Sequence, residues 1–168
     1  MRILVFGGSF DPVHRGHLAL LRDADRQLRP DRIVILPSGR PPHKAPPAAS
    51  FCDRVALLKA ALREPGARRF ASRTVIDRSE ERGRGPHYTV RSLERLRRRW
   101  PGAEVFLLLG SDQVAAFGRW HQPDRILRMC RRVAGLRRGT RRPRSDVLWL
   151  RGLFPELSSS QVRGVLAE

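Results

Sequence analysis

The chain has 168 residues, 40% of them hydrophobic and 30% charged, which is enough to bury a core of its own. No apolar run approaches the length of a membrane span, and the first one stops at Gly7, so neither a spanning helix nor a signal peptide is expected and the cytoplasm is the default compartment. Cys52 and Cys130 are isolated, which excludes a C-x-x-C metal or redox pair.

The formal charge of +18 points first to a polyanionic partner. Of 34 basic side chains, however, only Lys44 and Lys59 are lysines, a skew that fits a general preference for Arg as well as it fits a nucleic-acid surface. The arginine clusters at 95–99 and 128–144 have Trp100 as their only neighbouring aromatic, a poor platform for stacking single strands.

In chain order, Ile3 to Phe6 reads as a short buried strand that stops at Gly7-Gly8. Leu18, Leu21 and Leu28 give an amphipathic helix over 17–28, closed by Pro30. Arg32 to Pro37 is a second strand, and the proline-rich segment Ser38–Pro47 must be a loop beyond its carboxyl end. A helix follows over 50–64, with Ser50 as its N-cap and Val55, Leu57, Leu58, Ala61 and Leu62 facing the core. Phe70 to Ile76 is a third strand interrupted by Arg73, and Asp77 to Pro86 a surface loop. Thr89 is placed to cap a helix carrying Val90, Leu93 and Leu96 on one face. Glu104 to Leu109 is the strongest strand, and short helices at 111–118 and 123–130 flank Gly118–Pro123. Strands at Arg132–Leu136 and Val147–Leu150 are separated by the basic turn Arg137–Arg144, and a short helix runs from Ser158 to Leu166.

Strands that alternate with helices and are apolar throughout predict a parallel α/β sheet, Rossmann-like, with helices on both faces and with no domain boundary over 1–168. Ligands of such sheets bind beyond the carboxyl ends of the strands. The chemistry-bearing residues follow that rule. Gly7-Gly8, between a strand and a helix, is a turn that can aim backbone N–H groups at an anion. His14 and His17 are three apart beside it; a metal pair, a helix cap and a phosphate contact all fit their spacing, and the adjoining glycines favour phosphate. His43-Lys44 offers cationic groups in a proline-stiffened loop. Asp112, directly after a buried strand, suits either a ribose or a helix N-cap, and Trp120 suits either the core or a stacked ring. Ser159-Ser160 with Arg163 opens a second helix start that can bind an anion or simply cap itself. No nucleophile–base pair is evident. The inventory suits nucleotidyl transfer by positioning and charge stabilisation.

The segment Gly7-Gly-Ser-Phe-Asp-Pro-Val-His-Arg-Gly-His-Leu18 resembles the nucleotidyltransferase signature G-G-T-F-D-P-x-H-x-G-H. Pro41-Pro-His-Lys44, His87-Tyr-Thr89, Leu109-Gly-Ser-Asp112, Arg119-Trp120 and Leu157-Ser-Ser-Ser-Gln-Val-Arg163, in that order, are similar to the bacterial nicotinate-nucleotide adenylyltransferase family. The resemblance implies transfer of the adenylyl group of ATP to nicotinate mononucleotide with Mg²⁺, giving deamido-NAD and pyrophosphate. It implies that Gly7, Gly8, Ser9, Phe10, His14 and His17 hold the ATP phosphates, with Ser159, Ser160 and Arg163 closing on them from the last helix. Asp112 is then on the adenosine side. His43 and Lys44 would contact phosphate, and Tyr88, Thr89 and Trp120 would receive the nicotinate end. Ser9 stands where the signature has Thr, and His87 where Ser or Thr often precedes the Tyr-Thr pair. Sibling reactions on nicotinamide mononucleotide or another small phosphate acceptor are the near alternatives; a nucleic-acid-binding protein on a degenerate scaffold is the distant one.

Overall fold

Strand β1 (Arg2–Gly8) lies near the middle of a sheet that it organises: β2 (Arg32–Pro37) pairs with it on one side and β4 (Glu104–Leu109) on the other. With β3 (Thr74–Ile76), β5 (Arg132–Leu136) and β6 (Val147–Leu150) the order is β3-β2-β1-β4-β5-β6, parallel at every pairing. The computed structural model describes residues 1–42, 45–82, 86–136, 147–152 and 159–166. Among these, the helices are α1 (Arg15–Leu28), α2 (Phe51–Ala61), α3 (Arg68–Ala71), α4 (Thr89–Arg99), α5 (Ser111–Ala116), α6 (Pro123–Met129) and α7 (Ser159–Leu166).

Strand periodicity divides the core into two layers. Leu4, Phe6, Ile33, Ile35, Phe106 and Leu108 face α1 and α2, meeting Leu20, Leu21, Ala24 and Leu58. Ile3, Val5, Val34, Val105, Leu107 and Leu109 face the other way and pack on Val90, Leu93 and Leu96 of α4 and on Ile126 of α6. Every second residue thus goes to each face and all are apolar, so both faces are covered. The expected Rossmann-like α/β sheet is present. Between β5 and α5 the fit is close: a Cβ on Gly135 would come within 2.6 Å of Val114.

Several local expectations need correction. Phe70 is not in a strand; it lies in the single turn α3 and is fully buried against α1, while the strand is reduced to Thr74–Ile76. Arg73, expected to interrupt that strand, precedes it and reaches back to Asp25. Leu57 is 43% exposed, because the buried face of α2 runs through Arg54, Val55, Leu58 and Ala61. Helix α1 starts at Arg15, with His14 at its N-cap, and α4 has Tyr88 at that position with Thr89 as its first residue. The helix expected over 111–118 ends at Ala116 and passes into a 3₁₀ turn, Phe117–Arg119. Ser50 does cap α2, its hydroxyl accepting from the Asp53 N–H. The turn Arg137–Arg144 and Ser158 lie outside the described residues.

Cys130 is a core thiol that burial pushes up to about 12, so it stays protonated. Among the described residues no helix is long and apolar enough to cross a membrane.

Candidate active site

The strand order reverses beside β1: the chain first adds β2 and β3 on one side, then returns to add β4, β5 and β6 on the other. At such a switch point the loops leaving neighbouring strands diverge and open a crevice. A cleft of about 1000 Å³ lies there, lined by Gly7–Asp11, at and beyond the end of β1, and by Gly110–Gln113 after β4. His14, His17, Tyr88, Thr89, Trp120, His121, Ser159, Ser160 and Arg163 complete its walls. Sequence-predicted residues from five separate segments therefore meet in one place. His43 and Lys44 lie outside the described residues, although Pro41, Pro42 and Ala45 on either side of them border the cleft.

The turn after β1 is tightly specified. Phe10 is buried with φ of +50°, a left-handed conformation costly for a bulky residue, and it folds its ring under Gly8. A Cβ on Gly8 would sit 3.1 Å from that ring, whereas one on Gly7 would meet nothing within 4 Å. Gly8 is thus needed by the protein's own packing, while Gly7 leaves room in the cleft. Phe10 packs edge-on to Phe6 at 5.2 Å and lies 5.0 Å from the His17 ring, so the turn and the start of α1 form one aromatic block. The Asp11–Pro12 peptide is cis.

The two histidines differ in role. The Nδ1 of His17 accepts the His14 backbone N–H at 3.2 Å, closing the first turn of α1. That bond assigns the proton of a neutral His17 to Nε2, a donor suited to an anionic oxygen. The His14 ring stacks on it with centroids 3.8 Å apart. Burial pushes the His14 pKa below its ordinary value of 6.5, and its Nδ1 is buried without a hydrogen-bond partner among the described residues. An unmet polar atom in a cleft wall is a place where a ligand gains a bond. The capping and ligand readings of the pair are compatible.

Two residues without an expected role hold the turn together. Asp11, 5% exposed, accepts from the N–H groups of Ala48 and Ala49 at 2.8 and 3.0 Å and pairs with Arg163 of α7 at 3.4 Å. Arg163 also donates to the Asp11 carbonyl and to Ser160 Oγ, and Ser159 Oγ donates to the Pro12 carbonyl. Helix α7 is thereby pinned to the turn. Arg54, 2% exposed, donates to the carbonyls of Ser9, Ser38 and Ala49 at 2.6, 2.9 and 3.3 Å. Burial lowers its pKa and the Asp11 carboxylate raises it in opposition. A signal for Arg54 exists in the sequence: it lies four and seven residues before Leu58 and Ala61, a charge on an apolar helical stripe.

The opposite wall is aromatic. Tyr88 stacks on His121 at 4.3 Å, and Trp120 packs one side on buried Phe117 at 5.4 Å, so it serves the core and lines the cleft at once. His121 is one of the five histidines of the chain and has no role expected from the sequence. Gln122 has φ of +55°, and its amide oxygen accepts from Arg125, which is paired with Glu94 of α4. His87 is structural: its Nδ1 accepts the Arg40 N–H at 3.1 Å, and its N–H donates to the Arg40 carbonyl. Gly39 is obligatory there, because a Cβ would fall 2.0 Å from the Glu80 carbonyl and 2.7 Å from the His87 ring. Asp112, in the first turn of α5, lines the cleft and accepts from the Gln113 side chain at 2.7 Å. Among the described residues no three His, Cys, Asp or Glu side chains group to hold a metal ion.

Comparison with known proteins agrees with this picture. A family model described as cytidylyltransferase-like matches residues 5–165. A protein of Laribacter hongkongensis named "Probable nicotinate-nucleotide adenylyltransferase" is 45% identical over 120 residues, 70% of this chain and 51% of the relative. A protein of the same name from Thermomicrobium roseum is 39% identical over 139 residues, 82% of this chain and 62% of the relative. The match therefore spans between half and two thirds of the length of these two relatives. In Aquifex aeolicus a protein of that name is 35% identical over 161 residues, covering 96% of this chain and 90% of its own. The solved Plasmodium falciparum nicotinic acid mononucleotide adenylyltransferase complexed with NaAD superposes with a TM-score of 0.79 at 17% identity, over 98% of this chain and 83% of that one, a likeness of fold.

Proposed function

Because the chain belongs to the cytidylyltransferase-like family, we propose that it transfers the adenylyl group of ATP to nicotinate mononucleotide, releasing pyrophosphate and forming deamido-NAD. One observation carries this reading: a single cleft at the strand-order reversal joins a turn built to receive phosphate to an aromatic wall suited to a flat ring. The names of the relatives, nicotinate-nucleotide adenylyltransferases, point to the same pair of substrates.

The ATP phosphates lie over Gly7–Phe10, where the space beyond Gly7 admits them and His17 Nε2–H donates to an oxygen. His14, kept neutral by burial, offers its own ring to the same anion. Ser159, Ser160 and Arg163, held at the mouth by Asp11 and Pro12, close on it from the other side. Asp112 takes the ribose hydroxyls. The pyridine ring of the acceptor stacks in the Tyr88–Thr89–Trp120 wall, with His121 behind Tyr88. Lys44 and His43, flanked by cleft-lining prolines, supply further positive charge to phosphate. Mg²⁺ would enter with the nucleotide as part of the substrate and would supply positive charge to its phosphates.

In the reaction a phosphate oxygen of the mononucleotide attacks the α-phosphorus in line. The new P–O bond forms as the bond from the α-phosphorus to the oxygen bridging to the β-phosphorus breaks, and pyrophosphate leaves with the electron pair. The attacking phosphate is already anionic near neutrality, so no protein base takes a proton. The cationic groups neutralise charge as it builds, and positioning does the rest. Pyrophosphate release from Mg·ATP, assayed in parallel with nicotinate and nicotinamide mononucleotides, tests the reading. Release is expected with the acid; none with either acceptor would overturn it.

A further inference from the structure

We propose that Arg54 is the positioning residue that presets the ATP-binding turn, orienting the Ser9–Phe10 peptide so that its N–H faces the phosphates. Its Nη1 bridges the carbonyls of Ser9 and Ser38, the residues that immediately follow β1 and β2, at 2.6 and 2.9 Å. Its Nε reaches the Ala49 carbonyl at 3.3 Å. One planar cation thus fastens the two strand ends and the loop before α2 that form the cleft floor. In a trans peptide the C=O and N–H point in opposite directions. Arg54 lies behind the turn and outside the cleft lining, while Ser9 and Phe10 line it. Drawing the Ser9 carbonyl back onto Arg54 therefore sends the Phe10 N–H forward, towards the anion.

Without the guanidinium, the Ser9 carbonyl would lose its partner in a part-buried position. Rotating that peptide would regain a bond by turning a carbonyl oxygen towards the phosphates, where it repels them. The nearby Asp11 carboxylate balances the buried cation and is itself tied to Ala48, Ala49 and Arg163. Arg54 touches no substrate. Its effect is exerted through the main chain it orients.

This inference rests on the turn being the ATP site, so the experiment separates the two. Binding of Mg·ATP is measured by calorimetry without acceptor, and the KM of each substrate by pyrophosphate release, for the wild type, Arg54→Met and Arg54→Lys. In folded Arg54→Met the ATP Kd is expected to weaken roughly tenfold or more, with the acceptor KM within about twofold. Arg54→Lys keeps the charge but is shorter and lacks the Nε that reaches the Ala49 carbonyl, so it should recover part of the ATP affinity, leaving a loss of roughly threefold. If Arg54→Met fails to fold, circular dichroism identifies this and Arg54→Lys alone decides. Unchanged ATP affinity in a folded variant, or equal weakening of both substrates, would overturn the assignment. A wild type that binds no ATP overturns the functional reading instead.

Discussion

The two ends of the sheet use the same residue types to opposite purposes. At the amino ends of the strands, buried Asp25 receives Arg69 at 3.1 Å and Arg73 at 2.9 Å, and Arg73 also donates to the Pro30 carbonyl. Asp31 accepts the Arg2 N–H at 2.7 Å, and the guanidiniums of Arg32 and Arg99 both lie over the Trp100 ring. Charges there are answered within the chain. At the carboxyl ends, by contrast, His14 Nδ1 is buried without a partner among the described residues, Gly7 faces open space and a cleft of about 1000 Å³ opens. A small pocket also exists at the amino end, but its Asp25, Arg69 and Arg73 are paired with one another and its Asp31 accepts from Arg2. What distinguishes a site from a structural cap is therefore unmet bonding capacity, and charge alone does not reveal it.

Substitutions at the two ends should separate turnover from stability. The largest effect is expected for His17→Ala, which removes the proposed phosphate donor: turnover should fall roughly 10²- to 10³-fold. Loss of its bond to the His14 N–H should cost only about 1 kcal/mol of stability, read from urea unfolding. A variant that loses stability yet keeps turnover would make His17 a cap alone.

Next, Tyr88→Ala removes the ring stacked on His121 and should raise the acceptor KM by roughly tenfold while leaving the ATP KM near its wild-type value. A shift confined to ATP would move the aromatic wall to the adenosine side. At the other end of the sheet, Asp25→Asn should leave both KM values and turnover intact. It should destabilise the fold by about 1–3 kcal/mol, less than for a fully buried pair because Arg69 and Arg73 are 63% and 34% exposed. Changed kinetics there would show that the ends communicate.

The smallest effect is a pH dependence. Burial lowers the His14 pKa, so below its ordinary 6.5 the unfolded chain takes up a proton that the folded chain resists. The contribution of His14 is therefore complete above that value and lost as pH falls from it towards the folded pKa. Thermal melts between pH 7.5 and 5.5 should show a larger acid-side loss of Tm in the wild type than in His14→Gln. Equal losses would remove His14 as the cause.

Much of this was readable before any coordinates. The central strands β1, β2 and β4 register as apolar runs because a strand covered on both faces leaves no polar alternation to blur it. The turn at Gly7-Gly8 and the clustering of chemistry after strand ends were legible for a related reason: a parallel sheet has one functional end. Phe70 reads as strand in the sequence because an apolar residue before a short edge strand satisfies strand and helix patterns equally, and only packing on α1 chooses the turn. Arg54 stands out in the sequence as a charge on an apolar stripe, but what it and Asp11 hold, including main-chain groups 37 to 45 residues away, is beyond what local periodicity can register.

Sequence by itself determined the sheet, its two apolar layers and the kinds of group placed at its carboxyl end. These depend on the chemistry of neighbouring residues. The tertiary structure alone decided how they work together: that the His14 Nδ1 is buried and His17 oriented, that Tyr88 meets His121, and that Arg54 turns the Ser9 carbonyl away from the cleft. Such properties arise from distance, burial and the direction of a peptide, and they come into being only when segments far apart in the chain are brought into contact.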